Sequence, residues 1–262
     1  MAIASTWHNE NGFEYALFPA PSGKPESLII FMHGLGSDTY ISDECIRAIR
    51  KKIPSADVIA LQGPIKIKKS YIPNVTRGYS WFHLFDGSVA AKAKTWLSHV
   101  FNRLSVAEKV EAFAHAELTK RGLTEDNLAY MGTSMGGIVA LQAGLTGEKP
   151  VAAIVSRGGA ILPLTKIKTP SKVFLQVGEL DELFNNPPLK PGEGFLKRAF
   201  SLATGKLTLK HKQSAEFLKK NNVPLTEKIY PKQGHALNNL AWDDGIDFIA
   251  KALPPPKPKT TP

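Results

Sequence analysis

The stretch Leu128-Ala129-Tyr130-Met131-Gly132-Thr133-Ser134-Met135-Gly136-Gly137 decides the fold. Its first four residues are aliphatic or aromatic and predict a short buried strand. The residues from Ile138 to Ala143 predict a helix that begins directly after the glycine-rich turn. The turn matches Gly-x-Ser-x-Gly, a pattern in which a sharp strand-to-helix turn exposes a serine. Ser134 is therefore a candidate nucleophile, with a tight-packing glycine turn as the alternative.

Short aliphatic runs alternate with amphipathic segments on both sides of this stretch, which is typical of parallel strands joined by crossover helices. The predicted strands are 28–32, 57–61, 128–131, 151–155, 172–177 and 225–230. The predicted helices are 43–52, 138–143, 210–220 and 236–251, together with one that starts at a Ser105/Glu108 capping box and ends at Gly122. We therefore predict an α/β fold with a mostly parallel central sheet and helices on both faces. No repeat or linker divides the chain, so residues 1–252 are predicted to be a single domain.

Two segments lie outside this alternation. Residues 184–207 exceed what the fold needs between Asp181 and His235, and their apolar positions have helical spacing. They predict a lid over an acyl pocket, with a helix that packs on the core as the alternative. Residues 253–262 are rich in proline and lysine and predict a solvated, disordered tail.

The composition limits the function classes. The chain has 262 residues, of which 43% are hydrophobic and 21% charged, as in an ordinary globular protein. Its formal net charge is +10, but no helix-turn-helix or RNA-binding motif accompanies the charge, so we predict no nucleic-acid partner. One cysteine, Cys45, excludes an internal disulfide and fits a reducing compartment, and no Cys/His pattern suggests a metal. With neither signal peptide nor apolar span, we predict a cytoplasmic protein that is not an integral membrane protein.

A serine nucleophile needs a general base and a carboxylate that orients the base. His235 follows the last predicted strand, the position of the base when the chain order is Ser, Asp, His. Asp181 follows the strand before it and is the candidate acid, with Glu179 in the same turn as the alternative. A helix-capping or exposed role is the alternative for His235. Four other histidines are predicted to be surface residues: His8, His99, His115 and His211.

The sequence His33-Gly34-Leu35-Gly36 follows the first strong strand, where this type of fold takes one of its oxyanion donors. We predict that the backbone N–H groups of Leu35 and Met135 form the oxyanion hole. His33 is expected to fix this loop by hydrogen bonding rather than to react.

These motifs, together with Gly78-Tyr79-Ser80-Trp81-Phe82, resemble the phospholipase/carboxylesterase family of α/β hydrolases, which includes the acyl-protein thioesterases. The resemblance spans roughly residues 28–250. It implies an α/β-hydrolase fold and a cofactor-independent serine esterase with Ser134, Asp181 and His235 as the triad. It also implies that the aromatic segment with Trp81 and Phe82 lines the substrate pocket.

Three positions depart from the family pattern. Met135 replaces the usual glutamine after the nucleophile, and His83 stands where aspartate is more frequent. The loop from Ser156 to Gly159 is more similar to that of proteins related to dienelactone hydrolases. Its Arg157 is a candidate to bind a substrate carboxylate or phosphate, with a structural arginine that bridges loops as the alternative.

The predicted function is hydrolysis of a carboxylic ester or thioester through an acyl-enzyme. A small-molecule or lipid-like acyl ester would be the substrate. A serine peptidase, a dienelactone-hydrolase-like enzyme and a catalytically inactive binding protein on the same scaffold are the alternatives.

Overall fold

The computed structural model describes residues 5–41, 43–67, 77–82, 92–162, 165–185 and 209–255, and only the backbone of residues 92–104. Its strands are β1 (Thr6–Glu10), β2 (Phe13–Phe18), β3 (Ser27–Met32), β4 (Ala56–Leu61), β5 (Ile65–Lys66), β6 (Tyr79–Ser80), β7 (Leu128–Thr133), β8 (Ala153–Arg157), β9 (Val173–Gly178) and β10 (Leu225–Tyr230). The α-helices in the described parts are α1 (Asp43–Lys52), α2 (Lys92–Arg121), α3 (Met135–Thr146), α4 (His211–Lys220) and α5 (Asn239–Ala252).

The main sheet has eight strands in the order β1-β2-β4-β3-β7-β8-β9-β10. The six strands from β4 to β10 in this order run parallel, and β1 and β2 add an antiparallel edge. Strands β3 and β4 are buried at every position, as expected for strands covered by helices on both faces. The predicted mostly parallel sheet is confirmed.

The apolar side chains of each central strand divide between two cores. In β3, Leu28, Ile30 and Met32 pack on the face covered by α2, α3 and α4. Ile29 and Phe31 pack on the opposite face, which α1 and α5 cover. Because alternate residues of a strand point to opposite faces, one aliphatic run supplies both cores. We propose that residues 1–252 form one domain around this shared sheet.

Two predictions of elements were wrong or incomplete. Helix α2 begins at Lys92, so Ser105 lies inside the helix and does not cap it. The sequence between them contains neither glycine nor proline, so nothing in it ends a helix before Ser105. The N-terminal hairpin of β1 and β2 was not predicted, nor was the small ribbon in which β5 pairs with β6.

Most of the predicted lid, residues 184–207, and most of the predicted tail, residues 253–262, lie outside the described residues, which omit 186–208 and 256–262. Among the helices that are described, none combines the length and the hydrophobicity that a bilayer span requires.

Candidate active site

Ser134 lies in a strained turn between β7 and α3. Its φ of 54° and ψ of −117° fall in a region that residues with a Cβ rarely occupy. The two glycines of the motif are required by close packing of backbone. A Cβ on Gly132 would lie 2.2 Å from the Gly136 oxygen, and one on Gly136 would lie 2.1 Å from the Met32 oxygen. The Gly-x-Ser-x-Gly pattern is therefore explained by the tight turn that exposes the serine.

The structure brings Ser134, His235 and Asp181 together from the loops after β7, β10 and β9. The Ser134 hydroxyl lies 2.8 Å from Nε2 of His235, and Nδ1 of His235 lies 2.9 Å from Oδ2 of Asp181. An ionised carboxylate only accepts hydrogen bonds, so Nδ1 donates to Asp181 and Nε2 is free to accept from the serine. This is the tautomer that a general base at Nε2 requires.

Asp181 is fully buried, and both of its carboxylate oxygens have partners. Oδ2 accepts from His235, while Oδ1 accepts the N–H groups of Leu183 at 2.8 Å and Phe184 at 3.0 Å. The alternative acid, Glu179, accepts instead from the N–H of Lys232 at 2.8 Å. Of the two carboxylates considered, only Asp181 contacts the histidine.

Lys210 and His211 hold the turn that carries Asp181, a role that the sequence did not reveal. The Lys210 ammonium donates to the Leu183 oxygen at 2.6 Å, and the His211 N–H donates to the Phe184 oxygen at 2.7 Å. Burial lowers the pKa of Lys210, and the negative charge of Asp181 opposes that shift. The start of α4 thus fixes the backbone that donates to the Asp181 carboxylate.

The His33 loop is positioned by hydrogen bonds from its own histidine. Nε2 of the buried His33 accepts the Gly63 N–H at 2.9 Å, so Nδ1 carries the proton and donates to the Gly34 oxygen at 2.6 Å. The Gly34 oxygen and the Leu35 N–H belong to one planar trans peptide and point in opposite directions. By fixing the carbonyl, His33 therefore orients the Leu35 N–H, as predicted for a residue that acts through the loop.

The two candidate oxyanion donors are unengaged. Neither the Leu35 N–H nor the Met135 N–H has a hydrogen-bond partner within the described parts of the chain. Met135 is the first residue of α3, where the N–H groups lack intrahelical partners and the helix dipole favours negative charge. The Met135 side chain contacts Trp81, whose backbone N–H lies 3.5 Å from the Met135 sulfur.

Trp81 and Phe82 are almost completely buried. Trp81 has no exposed surface and Phe82 is 3% exposed. The Trp81 indole donates to the His33 oxygen at 2.8 Å, and its ring packs against the His33 ring. These contacts support the His33 loop, and the pocket-lining role that the resemblance implies for Trp81 and Phe82 stays a prediction.

Arg157 is also buried, at 4% exposure, and the two terminal nitrogens of its guanidinium have hydrogen-bond partners within the protein. It donates to the oxygens of Leu237 at 3.1 Å and Asn238 at 3.3 Å and lies 3.7 Å above the Trp242 ring. Burial lowers the pKa of Arg157 to about 10. The guanidinium therefore ties the end of β8 to the loop that carries His235. Of the two interpretations, the contacts match the structural one.

His211 is 2% exposed, so its predicted surface position was wrong. It belongs to the buried face of α4 with Ser214, Ala215 and Leu218, which recur at helical spacing. Both ring nitrogens lack a hydrogen-bond partner in the described structure, and Nε2 lies 3.6 Å from a Glu227 oxygen.

The buried imidazoles of His33 and His211 should make the protein less stable in mild acid. Burial lowers the pKa of both imidazoles below the ordinary value of 6.5. Below about pH 6.5 the unfolded chain therefore binds more protons than the folded one, and the free energy of unfolding falls as the pH decreases. Each histidine contributes a slope of at most about 1.4 kcal/mol per pH unit. Urea unfolding between pH 7.5 and pH 5 measures this slope.

Replacing His211 with phenylalanine should flatten that dependence, because the ring is kept and the titrating group is lost. Lys212→Gln, an exposed change on the same helix that removes no imidazole, is the matched control and should leave the slope unchanged. An unaltered slope in His211→Phe would show that His211 does not titrate on unfolding.

Comparison with known proteins identifies the family. The model of the phospholipase/carboxylesterase family matches residues 14–186. Acyl-protein thioesterase 1 of Gibberella zeae is 25% identical over 246 residues, which cover 91% of this chain and 95% of that protein.

Two solved structures share the fold. The crystal structure of esterase PE8 superposes with a TM-score of 0.65 at 22% identity, over 90% of this chain and 97% of that chain. SOBER1 of Arabidopsis thaliana superposes with a TM-score of 0.61 at 17% identity, over 87% and 99% of the two chains. The fold is thus that of the α/β-hydrolase esterases, as predicted, and the chain belongs to the phospholipase/carboxylesterase family.

Proposed function

We propose that the protein is a serine hydrolase that cleaves carboxylic esters or thioesters through an acyl-enzyme and needs no cofactor. The observation that carries the proposal is the hydrogen-bonded series from Ser134 through His235 to Asp181, with distances of 2.8 and 2.9 Å. The backbone N–H groups of Met135, at the start of α3, and Leu35, in the His33 loop, have no hydrogen-bond partner among the described residues. A binding protein would need neither arrangement.

In the acylation step, the Ser134 oxygen attacks the substrate carbonyl carbon while Nε2 of His235 takes the hydroxyl proton. The carbonyl oxygen becomes an oxyanion, which accepts hydrogen bonds from the N–H groups of Leu35 and Met135. Each such donor typically contributes about 10²–10³ in rate. The tetrahedral intermediate collapses as His235 returns the proton to the alcohol or thiol leaving group.

In the deacylation step, a water molecule loses a proton to Nε2 of His235 and attacks the acyl carbon. The bond from the Ser134 oxygen to that carbon breaks, and the serine recovers its proton from His235. Asp181 stabilises the imidazolium that forms in both steps. Its two backbone donors keep the carboxylate oriented toward Nδ1 throughout.

An apolar acyl group suits the surroundings of the triad. Tyr40, Leu180 and Leu240 are exposed at 71%, 50% and 51%, although large apolar side chains are usually covered. Tyr40 follows β3, Leu180 follows β9 and Leu240 follows β10. All three therefore lie toward the sheet edge that carries the proposed triad. The Phe184 ring packs against His235, with 5.5 Å between ring centroids. We propose that these side chains favour an acyl ester over a charged substrate.

Covalent labelling with a fluorophosphonate tests the proposed mechanism, because only an activated serine reacts with it. Stoichiometric labelling of the native chain, located at Ser134 by peptide mass analysis, is the expected result. A panel of p-nitrophenyl esters and acyl thioesters of graded chain length then identifies the preferred substrate. Absence of both labelling and turnover would favour the inactive binding protein instead.

Replacing Arg157 with alanine is expected to destabilise the protein by roughly 2–4 kcal/mol, because a buried side chain is removed, two carbonyls of the His235 loop lose their donor and the Trp242 ring loses its cover. Activity toward neutral and anionic esters should fall by the same factor, since the guanidinium holds the His235 loop and does not contact substrate. Urea unfolding and paired kinetics with a neutral and a carboxylated ester measure both effects.

Arg47→Ala, a change on the exposed surface of α1, is the control. If Arg157→Ala lost activity toward the anionic ester only, Arg157 would have to be assigned to substrate binding after all.

A further inference from the structure

A cavity lies at the end of the sheet opposite to Ser134. It has a volume of about 440 Å³ and opens between α2 and α3. Leu128, the first residue of β7, and Val151, just before β8, line it, so it is next to the amino ends of the strands. The triad lies past their carboxyl ends. The volume is that of a typical small-molecule site, which the proposed hydrolysis leaves unused.

Tyr130 lines this otherwise mostly apolar cavity and is 1% exposed. A buried tyrosine hydroxyl usually has a hydrogen-bond partner. The hydroxyl of buried Tyr230 follows this rule, with Gln176 and Asp244 at 2.6 and 2.7 Å. The Tyr130 hydroxyl has no such partner among the residues that the structure describes. A polar group is thus left available beside a space large enough for a ligand.

The rest of the polar lining is mostly acidic. Glu108, Glu111, Glu125 and Glu148 border the cavity, together with Lys149 and His115. Glu125 is paired with His115 and Lys149, Glu148 is paired with Lys168, and Glu111 accepts the Glu148 N–H at 3.0 Å. Glu108 makes no hydrogen bond or salt bridge to a described residue. Burial raises the pKa of Tyr130, and the charges of Glu111 and Glu125 raise it further, so the phenol stays protonated. The surplus of negative charge is notable in a chain whose formal net charge is +10.

We propose that this cavity binds a small amphipathic ammonium compound, with its apolar body between α2 and α3. The Tyr130 hydroxyl would accept a hydrogen bond from the ammonium group, and the carboxylate of Glu108 would complement its charge. An anionic ligand would be repelled by the carboxylates, and a neutral ligand would form no ion pair with them. The class of ligand is therefore an alkyl or arylalkyl amine, and the site is separate from the triad.

Three probes that share one skeleton test the proposal: 3-phenylpropylamine, 3-phenylpropanol and 3-phenylpropanoate. Each is titrated into the full chain at pH 7 and followed by amide chemical shifts. We expect the amine to bind with a dissociation constant of about 1 mM, as its size allows, and to shift amides of α2 and α3. The alcohol should bind about tenfold more weakly, because it lacks the charge-assisted hydrogen bond, and the carboxylate should not bind measurably.

Variants separate the contributions to binding. Glu108→Gln and Tyr130→Phe should each weaken amine binding about threefold to tenfold, the range for a single hydrogen bond or partly exposed charge pair. Ala112→Trp, on the exposed side of the cavity, should abolish binding by filling the entrance. Glu216→Gln, an exposed change on α4, is the matched control for charge and should bind the amine as the native chain does.

Ser134→Ala should bind the amine unchanged, which distinguishes this site from the active site whatever the outcome for hydrolysis. The proposal is overturned if the amine fails to bind, or if the alcohol or carboxylate binds as tightly. It is also overturned if Ala112→Trp binds with native affinity, provided that melting curves show a folded variant.

Discussion

Ser134→Ala is expected to reduce ester hydrolysis by at least about 10⁴-fold, because the alanine cannot form the acyl-enzyme. His235→Ala should lose a similar factor, since the serine hydroxyl that lies 2.8 Å from Nε2 then has no base. The double variant should be scarcely worse than either single one, because members of a triad act as a unit. Initial rates with a p-nitrophenyl acetate substrate measure these losses.

The matched control is Ser156→Ala, which changes a buried serine on the neighbouring strand β8. The Ser156 hydroxyl has no hydrogen-bond partner among the described residues, so its removal should leave turnover near the native level. Circular dichroism and melting curves check that all variants fold. Near-native turnover by purified Ser134→Ala would refute the proposed mechanism.

The central strands could be predicted because burial on both faces demands unbroken apolar runs. The run from Leu28 to Met32 is one, and the structure pairs it with β4 and β7. The N-terminal hairpin also has a sequence signal. Asn11 and Gly12 connect β1 and β2, and both have positive φ, 51° and 81°. The Asn-Gly pair is the preferred sequence for such a two-residue turn.

The reactive residues could be predicted because each follows a strand in a loop that the fold gathers at one edge. The structure brings Ser134, Asp181 and His235 within hydrogen-bond distance, as that placement required. Contacts between residues distant in sequence could not be predicted in the same way. Trp81 packs against His33, and Arg157 against Trp242, through tertiary contacts that no local pattern encodes.

Which side chains of a helix are buried also could not be predicted reliably from the sequence. The sequence predicts a surface position for His211, because a single histidine on an amphipathic helix gives no sign of which face it occupies. The neighbours on its face, Ser214 and Ala215, are small and only weakly hydrophobic. The cavity beside Tyr130 depends on the gap between α2 and α3. That gap results from how the helices pack and not from the spacing of residue types along the sequence.

Asp181→Asn is expected to lower kcat by about 10³–10⁴-fold, whereas Glu179→Gln should change it by less than about threefold. The reason lies in hydrogen-bond polarity. Oδ1 of Asp181 accepts two backbone N–H groups, so an asparagine would keep its carbonyl oxygen there and turn its NH₂ group toward His235. That group donates, so Nδ1 would have to accept and the proton would move to Nε2. Nε2 could then no longer take the proton of Ser134.

Glu179→Gln is the matched control because the residue lies in the same turn and the glutamine oxygen can still accept the Lys232 N–H. The pH dependence of kcat provides a second measurement. Asp181→Asn should recover part of its activity at high pH, where hydroxide can replace the missing base, while Glu179→Gln should follow the native profile. If Glu179→Gln proved the more damaging change, the orienting acid would have to be reassigned to Glu179. Its carboxylate would then have to leave the Lys232 N–H and reach His235 during turnover.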